Sequence, residues 1–336
     1  MYKTLLEKSK AFRQFTIKTR PEFENMVKNL INKPVYRFRG VNEAKYTMTT
    51  SLQRHCPPQM KGNQNDYMTM LLQKVKNSPE VIEFFNMSGI AINDISCLAL
   101  MQHHGLPTPL LDFSTDLKIA LSFASDGLDL SSGSEETDGY ASLYAFDSQF
   151  EYEVGNPVQR VFEIGLANGI QMWQDHMHQY PKDEVDASIL FDINKFVKWD
   201  DINGFELCFI EYQPLAPGVV TLSGQKLDLS NPNLVKQKGC FMLNLYNETM
   251  PLEDNWNGRT TESRNNFWMS KGEKFMQLPF SGVMTRDKMF CFDIKKDVLL
   301  EWANVNAVPL YDNSTVNIAI KQELADIKEE LDRSLL

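Results

Sequence analysis

The sequence predicts an α+β fold on three observations. Residues 97–146 read as helix, tight turn, short strand, helix, acidic loop and strand. Val35 to Gly40 runs Val-Tyr-Arg-Phe-Arg-Gly, the period-two alternation of a strand. Phe23, Met26, Val27 and Leu30, and again Ile320, Leu324, Ile327 and Leu331, recur at helical spacing. With 336 residues, 43% hydrophobic and 11% aromatic, the chain can bury a sizeable core and lies outside the disordered class.

Residues 1–33 read as a helical lead-in. Thr19 caps its second half, Pro21 and Glu22 fill the first turn, and Pro34 stops the helix. In the strand that follows, Tyr36 and Phe38 lie on one side and Arg37 and Arg39 on the other, with Gly40 permitting close approach of a ligand. An Arg at a strand end beside Gly suits bidentate capture of a phosphate or carboxylate. Arg39 suits equally a structural pairing with an acid such as Asp112. Asp66 opens a long helix with Tyr67, Met70, Leu71, Leu72 and Val75 apolar, Phe84 and Phe85 close this region, and Gly89 breaks it. These helices are expected to wall off a pocket beside the first strand, with their Met and aromatic residues in the core.

In the central stretch, Ile95 to Met101 supplies an apolar helical face. Gly105 suits a left-handed C-cap, and Pro107 forbids continuation. Leu110-Leu111-Asp112-Phe113 is a short strand carrying one carboxylate. Ser114 or Thr115 caps the next helix, Asp116 favours its positive end, and Leu117, Ala120, Leu121 and Ala124 bury one face. The result is a polar cluster of His103, His104, Asp112, Ser114 and Thr115. Residues 126–139 are a solvated acidic loop, and Tyr140 to Phe146 is a strand.

Residues 150–205 read as a helical insertion. Asp175, His176 and His178 invite a metal reading, but positions two apart diverge on a helix, and no metal is expected. Strands follow at 205–212, 219–228, 240–246, 275–280 and 289–294, then a short helix at 297–302 and a last helix at 316–331. Gln237 enters a strand from a turn, where its amide can bond a ribose hydroxyl or simply stabilise the turn. Glu206, Glu211 and Glu248 are the carboxylates that could supply an acid near it.

The balance of 34 Lys and Arg against 44 Asp and Glu, net −10, removes a global basic footprint for nucleic acid. Cys56, Cys97, Cys208, Cys240 and Cys291 are dispersed without zinc-type spacing, which points to reduced thiols and a cytoplasmic protein. The first thirty residues lack an apolar signal core, and no run approaches the ~18 apolar residues of a span, so no membrane association is expected. Walker, GxGxxG, GxSxG and HExxH patterns are absent from the sequence.

Gln102, His103, Gly105, Pro107, Thr108, Leu110, Leu111, Asp112, Phe113, Phe123 and Ala124 fit the central motif of the FRG domain family, and Tyr36-Arg37-Phe38-Arg39-Gly40 contains its naming Phe-Arg-Gly triplet. Asn231-Pro232 and Gln237-Lys238-Gly239-Cys240-Phe241 resemble its late elements. Pro109 and Asn233 stand where the family usually has Arg, so two cations are missing, and the family's usual C-terminal ending is not recognisable. The resemblance covers residues 34–300, leaving 301–336 as a helical tail for a partner or oligomer interface. It implies an ADP-ribosyltransferase-like fold, with two small, mostly antiparallel sheets forming a cleft flanked by helices.

The same resemblance implies a transferase that uses NAD to modify a nucleic-acid or protein acceptor, as a bacterial toxin or phage-defence effector with an antitoxin or other neutralising partner. It implies that Arg39, Gly40, His103, Ser114 and Thr115 hold NAD. Gln237, or a nearby Glu, would bond the nicotinamide ribose, and His104 or Asp112 would act as base. The alternative is a non-catalytic module binding a nucleotide or a protein. A nuclease lacks its carboxylate cluster in the sequence.

Overall fold

Three threonines start three helices by one device. Thr4, Thr19 and Thr50 each accept an N–H from the third residue of the following helix, while the side chain of Glu7, Glu22 or Gln53 reaches back to the cap's own N–H. The computed structural model describes residues 1–31, 36–88, 92, 94–131, 133–147, 171, 174, 209–211, 236–243, 251–255, 289–311 and 317–336. Their helices are α1 (Leu5–Ala11), α2 (Arg20–Leu30), α3 (Ser51–His55), α4 (Gln64–Asn77), α5 (Pro79–Ser88), α6 (Asp94–His103), α7 (Leu117–Ser125), α8 (Lys296–Asn306) and α9 (Ile318–Ser334). The strands are β1 (Arg13–Ile17), β2 (Tyr36–Val41), β3 (Leu110–Ser114), β4 (Tyr140–Asp147), β5 (Phe209–Glu211), β6 (Gly239–Leu243) and β7 (Met289–Lys295). The strands expected at 219–228 and 275–280, and nearly all of the 150–205 insertion with its two histidines, lie outside the described residues.

The α+β class holds, but the described strands form one mixed sheet instead of two. Its order is β1-β7-β4-β2-β3-β6-β5, with β1 and β7 parallel and the other pairs antiparallel. The junction in the middle is slight. β2 pairs with β4 from Tyr36↔Asp147 to Val41↔Ser142, and β3 with β6 from Leu110↔Leu243 to Ser114↔Gly239. β2 and β3 meet only at Phe38↔Ser114. The sheet is therefore four strands and three strands hinged along a seam.

Each sheet face buries its own cluster. Phe38, Leu143, Ala145 and Ile294 pack under α2, α7 and α8 through Phe23, Leu117, Leu121 and Leu299. The opposite face holds Phe12, Met48, Phe113, Tyr144, Phe146 and Cys291. A third cluster joins α4, α5, α6 and α9 to Leu110 and Phe241 of the three-strand half. Most of the expected α4 and α5 core is there, but Met70 is exposed.

Two further expectations are corrected. The lead-in is not purely helical, because its middle supplies β1 to the sheet edge. The apolar stripe of the tail, Ile320, Leu324, Ile327 and Leu331, is buried in this chain's own core, so it is not left for a partner.

On the second face lies a fully buried ion pair. Lys8 Nζ donates to Asp293 Oδ1 at 2.6 Å, to Ser142 Oγ at 2.6 Å and to the Ala44 carbonyl at 3.0 Å. Ser142 and Gln14 also donate to the Asp293 carboxylate. Burial alone would depress the Lys8 pKa. The groups around it, the Asp293 carboxylate among them, raise the pKa instead.

No described helix is long and apolar enough to cross a membrane. Cys56, Cys97, Cys240 and Cys291 are all buried.

Candidate functional site

The seam makes the site. Where β2 and β3 part beyond Phe38↔Ser114, a cavity of about 180 Å³ opens between them. Arg39, Gly40, Asp112, Ser114 and Gln237 line it, with Phe38, Phe123, Phe241 and Tyr311 as aromatic walls. Five of the candidate residues from the sequence are thus brought together from three distant segments.

Arg39 crosses the seam. Its Nη1 donates to the Asp112 carbonyl at 2.7 Å, while its Nε is buried and has no hydrogen-bond partner among the described residues. Burial lowers the Arg39 pKa, and the Asp112 carboxylate opposes that shift. The Asp112 carboxylate itself is held by Gln102, whose Nε2 donates to Oδ1 at 3.0 Å and Oδ2 at 3.1 Å. Gln102 is fixed in turn by the Thr108 hydroxyl, which donates to its Oε1.

The far wall is a turn clamped to the end of β3. Ser114 Oγ donates to the Gln237 carbonyl at 2.7 Å and accepts the Asp116 N–H at 3.0 Å. The Thr115 N–H donates to the Lys238 carbonyl at 2.9 Å. Lys238 adopts φ +43°, an uncommon conformation for a residue with a side chain, and its Nζ pairs with Asp116 Oδ2 at 2.7 Å. Burial alone would raise the Asp116 pKa; the Lys238 ammonium and the Lys118 N–H outweigh it and hold the pKa down. Gln237 Nε2 donates to the Leu310 carbonyl at 2.7 Å, which carries Tyr311 to the cavity, where its ring meets Phe123 edge-on at 6.1 Å.

The other candidates sit elsewhere. Thr115 is exposed beside the turn, and His103 and His104 end α6, with none of the three lining the cavity. Asp116, not Ser114 or Thr115, is the N-cap of α7, accepting the Lys118 N–H at 2.8 Å.

Gly40 also has a reason the sequence did not show. A Cβ there would stand 1.8 Å from the Ala120 carbonyl oxygen and 2.6 Å from the Ala124 nitrogen. The close approach it permits is that of the α7 backbone.

His104 is buried, with its ring 4.8 Å from that of His103 and its Nδ1 without a partner among the described residues. Burial first, then His103 and Lys321, pushes its pKa down to about 4. The unfolded chain therefore binds this proton more tightly than the folded one. Stability is unaffected above about pH 6.5 and falls as pH drops through the interval to 4. At 1.36 kcal/mol per unit the full loss is of the order of 3 kcal/mol. Denaturant melts at pH 7 and pH 4.5 are expected to show this slope in the parent and a flatter one in His104→Phe. Equal slopes would show that His104 is not the group responsible.

Gln102, Phe123, Lys238 and Tyr311 were given no site role from sequence. Gln102 had a local signal, its six- and ten-residue spacing to Thr108 and Asp112, whereas Tyr311 is far off in the chain and had none.

Fold and site together define an α+β protein with a polar and aromatic cavity at a sheet seam. Residues 34–131 match the model of the FRG domain family, and the chain carries an FRG domain there. That match spans Arg39, Gly40, Asp112 and Ser114 but ends before Gln237. No curated protein and no solved structure gives a significant match to the chain.

Proposed function

We propose that the chain is an ADP-ribosyltransferase that uses NAD to modify a macromolecular acceptor, nucleic acid or protein, as a toxin or phage-defence effector held in check by a neutralising partner. The observation that carries this reading is the convergence of Arg39, Ser114 and Gln237 on one cavity. The residues fit one end of the dinucleotide. A volume of about 180 Å³ lies below the ~300–1,000 Å³ of common ligand sites, which leaves the rest of the molecule outside the seam. The buried, unpartnered Arg39 Nε is a donor for a phosphate or ribose oxygen.

When bound, NAD supplies a ribose carbon whose bond to nicotinamide can break. The chain's part is electrostatic. Gln237 spends its Nε2 on Leu310 and leaves Oε1 for a ribose hydroxyl or for positive charge developing on the sugar. Asp112, oriented by Gln102, is the carboxylate placed to take the acceptor's proton. His104 is neutral at pH 7 but lies outside the lining, so the base role passes to Asp112.

One observation favours a second reading, a non-catalytic binding module. Asp112 and Ser114, and the nitrogen of Gln237, already hold the cavity's shape through bonds within the chain.

Purified protein incubated with labelled NAD and cell lysate separates the two. The transferase reading expects label on RNA, DNA or protein, falling about 10²-fold in Arg39→Lys and in Gln237→Ala at unchanged melting temperature. NAD or ADP-ribose binding without nicotinamide release, in lysates with and without phage infection, would establish the binding module instead.

A further inference from the structure

Independently of the seam, the sheet has an edge built for a strand. β1 is the last strand in the order, and on the side away from β7 its backbone receives no backbone hydrogen bond among the described residues. An open strand edge is a template for strand addition unless something protects it. β1 carries no proline or bulge and is exposed at Arg13 and Phe15, the latter at 40%.

The side chains make the edge selective. Phe15 stacks on Phe292 at 5.3 Å and on Phe290 at 6.4 Å, and the Arg13 guanidinium lies over Phe15 and Phe290 at 5.9 and 5.2 Å. This flat aromatic and cationic ladder can hold the apolar side chains of an added strand. Lys10, Arg13 and Lys18 line the segment, all exposed, and none forms an ion pair among the described residues. Of the neighbouring acids, Glu7 caps α1 and feels the charge of Lys10, Glu22 caps α2 and feels that of Lys18, Glu24 pairs with Arg20, and Asp293 is buried on Lys8. A cationic strip on a chain of net charge −10 singles this edge out.

We propose that β1 is a docking edge for an extended acidic peptide segment of a partner protein, which adds as an eighth strand with its carboxylates toward Lys10, Arg13 and Lys18. A second copy is the poorer occupant. Edge-to-edge pairing of two β1 strands would bring the same cations of both chains into one ribbon, and like charges across a strand pair repel.

The test uses the full chain and an array of short synthetic peptides that carry Asp or Glu beside apolar residues on one face of the extended chain, beside the same array carrying Lys. Fluorescence anisotropy is expected to show binding of acidic members only, weakened by added salt. Arg13→Glu/Lys18→Glu should weaken it at least tenfold with the thermal midpoint unchanged, and the β1 amides should exchange more slowly in the bound form. Binding by no member, equal binding of both arrays, or full retention in the double variant would overturn the proposal. So would dimerisation in ultracentrifugation that protects the β1 amides without peptide, which would make a second copy the occupant.

Discussion

Lys8→Met is expected to cost about 3–5 kcal/mol of unfolding free energy, the largest effect of any single change considered. The reason is what it leaves behind. Asp293 is fully buried, and its one cationic neighbour among the described residues is Lys8. Without that ammonium the carboxylate keeps the neutral donors Ser142 and Gln14 and the weak Cys291 thiol, too little to replace the water it gave up. Urea denaturation measures the loss. Adding Asp293→Asn to Lys8→Met is expected to recover most of it, since Asn carries no charge and still accepts from Gln14. A cost below about 1 kcal/mol for Lys8→Met alone would mean that the pair does not pin α1 to the sheet in solution.

Gly40→Ala is expected to cost about 3 kcal/mol or more, the upper end of overpacking penalties. The added Cβ would fall 1.8 Å from a carbonyl oxygen of the α7 backbone. Backbone in a helix cannot rotate aside as a side chain can, so α7 or β2 must shift, and with it one wall of the seam cavity. Gly139→Ala is the control, because a Cβ there meets nothing within 4 Å and is expected to change stability by less than about 0.5 kcal/mol. Equal midpoints for the two variants in thermal melts would contradict the packing that positions Arg39.

Local signals were legible in the sequence where one residue's chemistry decided them. The Thr19 capping box, the left-handed Gly105 at φ +81°, the apolar face of α7 and the alternation of β2 were all readable in advance. Pairing across the chain was not. β1 escaped because only Ile17 of its five residues is buried, and its partner β7 lies at the other end of the chain. The α9 stripe was visible, but the helices that cover it could not be read from α9 itself. The seam was hidden for the same reason: two well-formed half-sheets joined at one residue pair leave no mark in a hydrophobic pattern.

The site was readable in part. Motif spacing named Arg39, Asp112, Ser114 and Gln237, which share the cavity. It also named His103, His104 and Thr115, which are adjacent in sequence to cavity residues but point to other surroundings. Adjacency in sequence misled because a turn separates neighbours as readily as it gathers them.

Nucleotide binding at the seam between β2 and β3, as proposed above, is tested most directly by hydrogen exchange with and without NAD. Slowed exchange is expected at the amides of residues 38–41, 114–116 and 237–239, with the rest of the chain unchanged and the footprint lost in Arg39→Lys. No footprint at saturating NAD, or one confined to residues away from the seam, would contradict it.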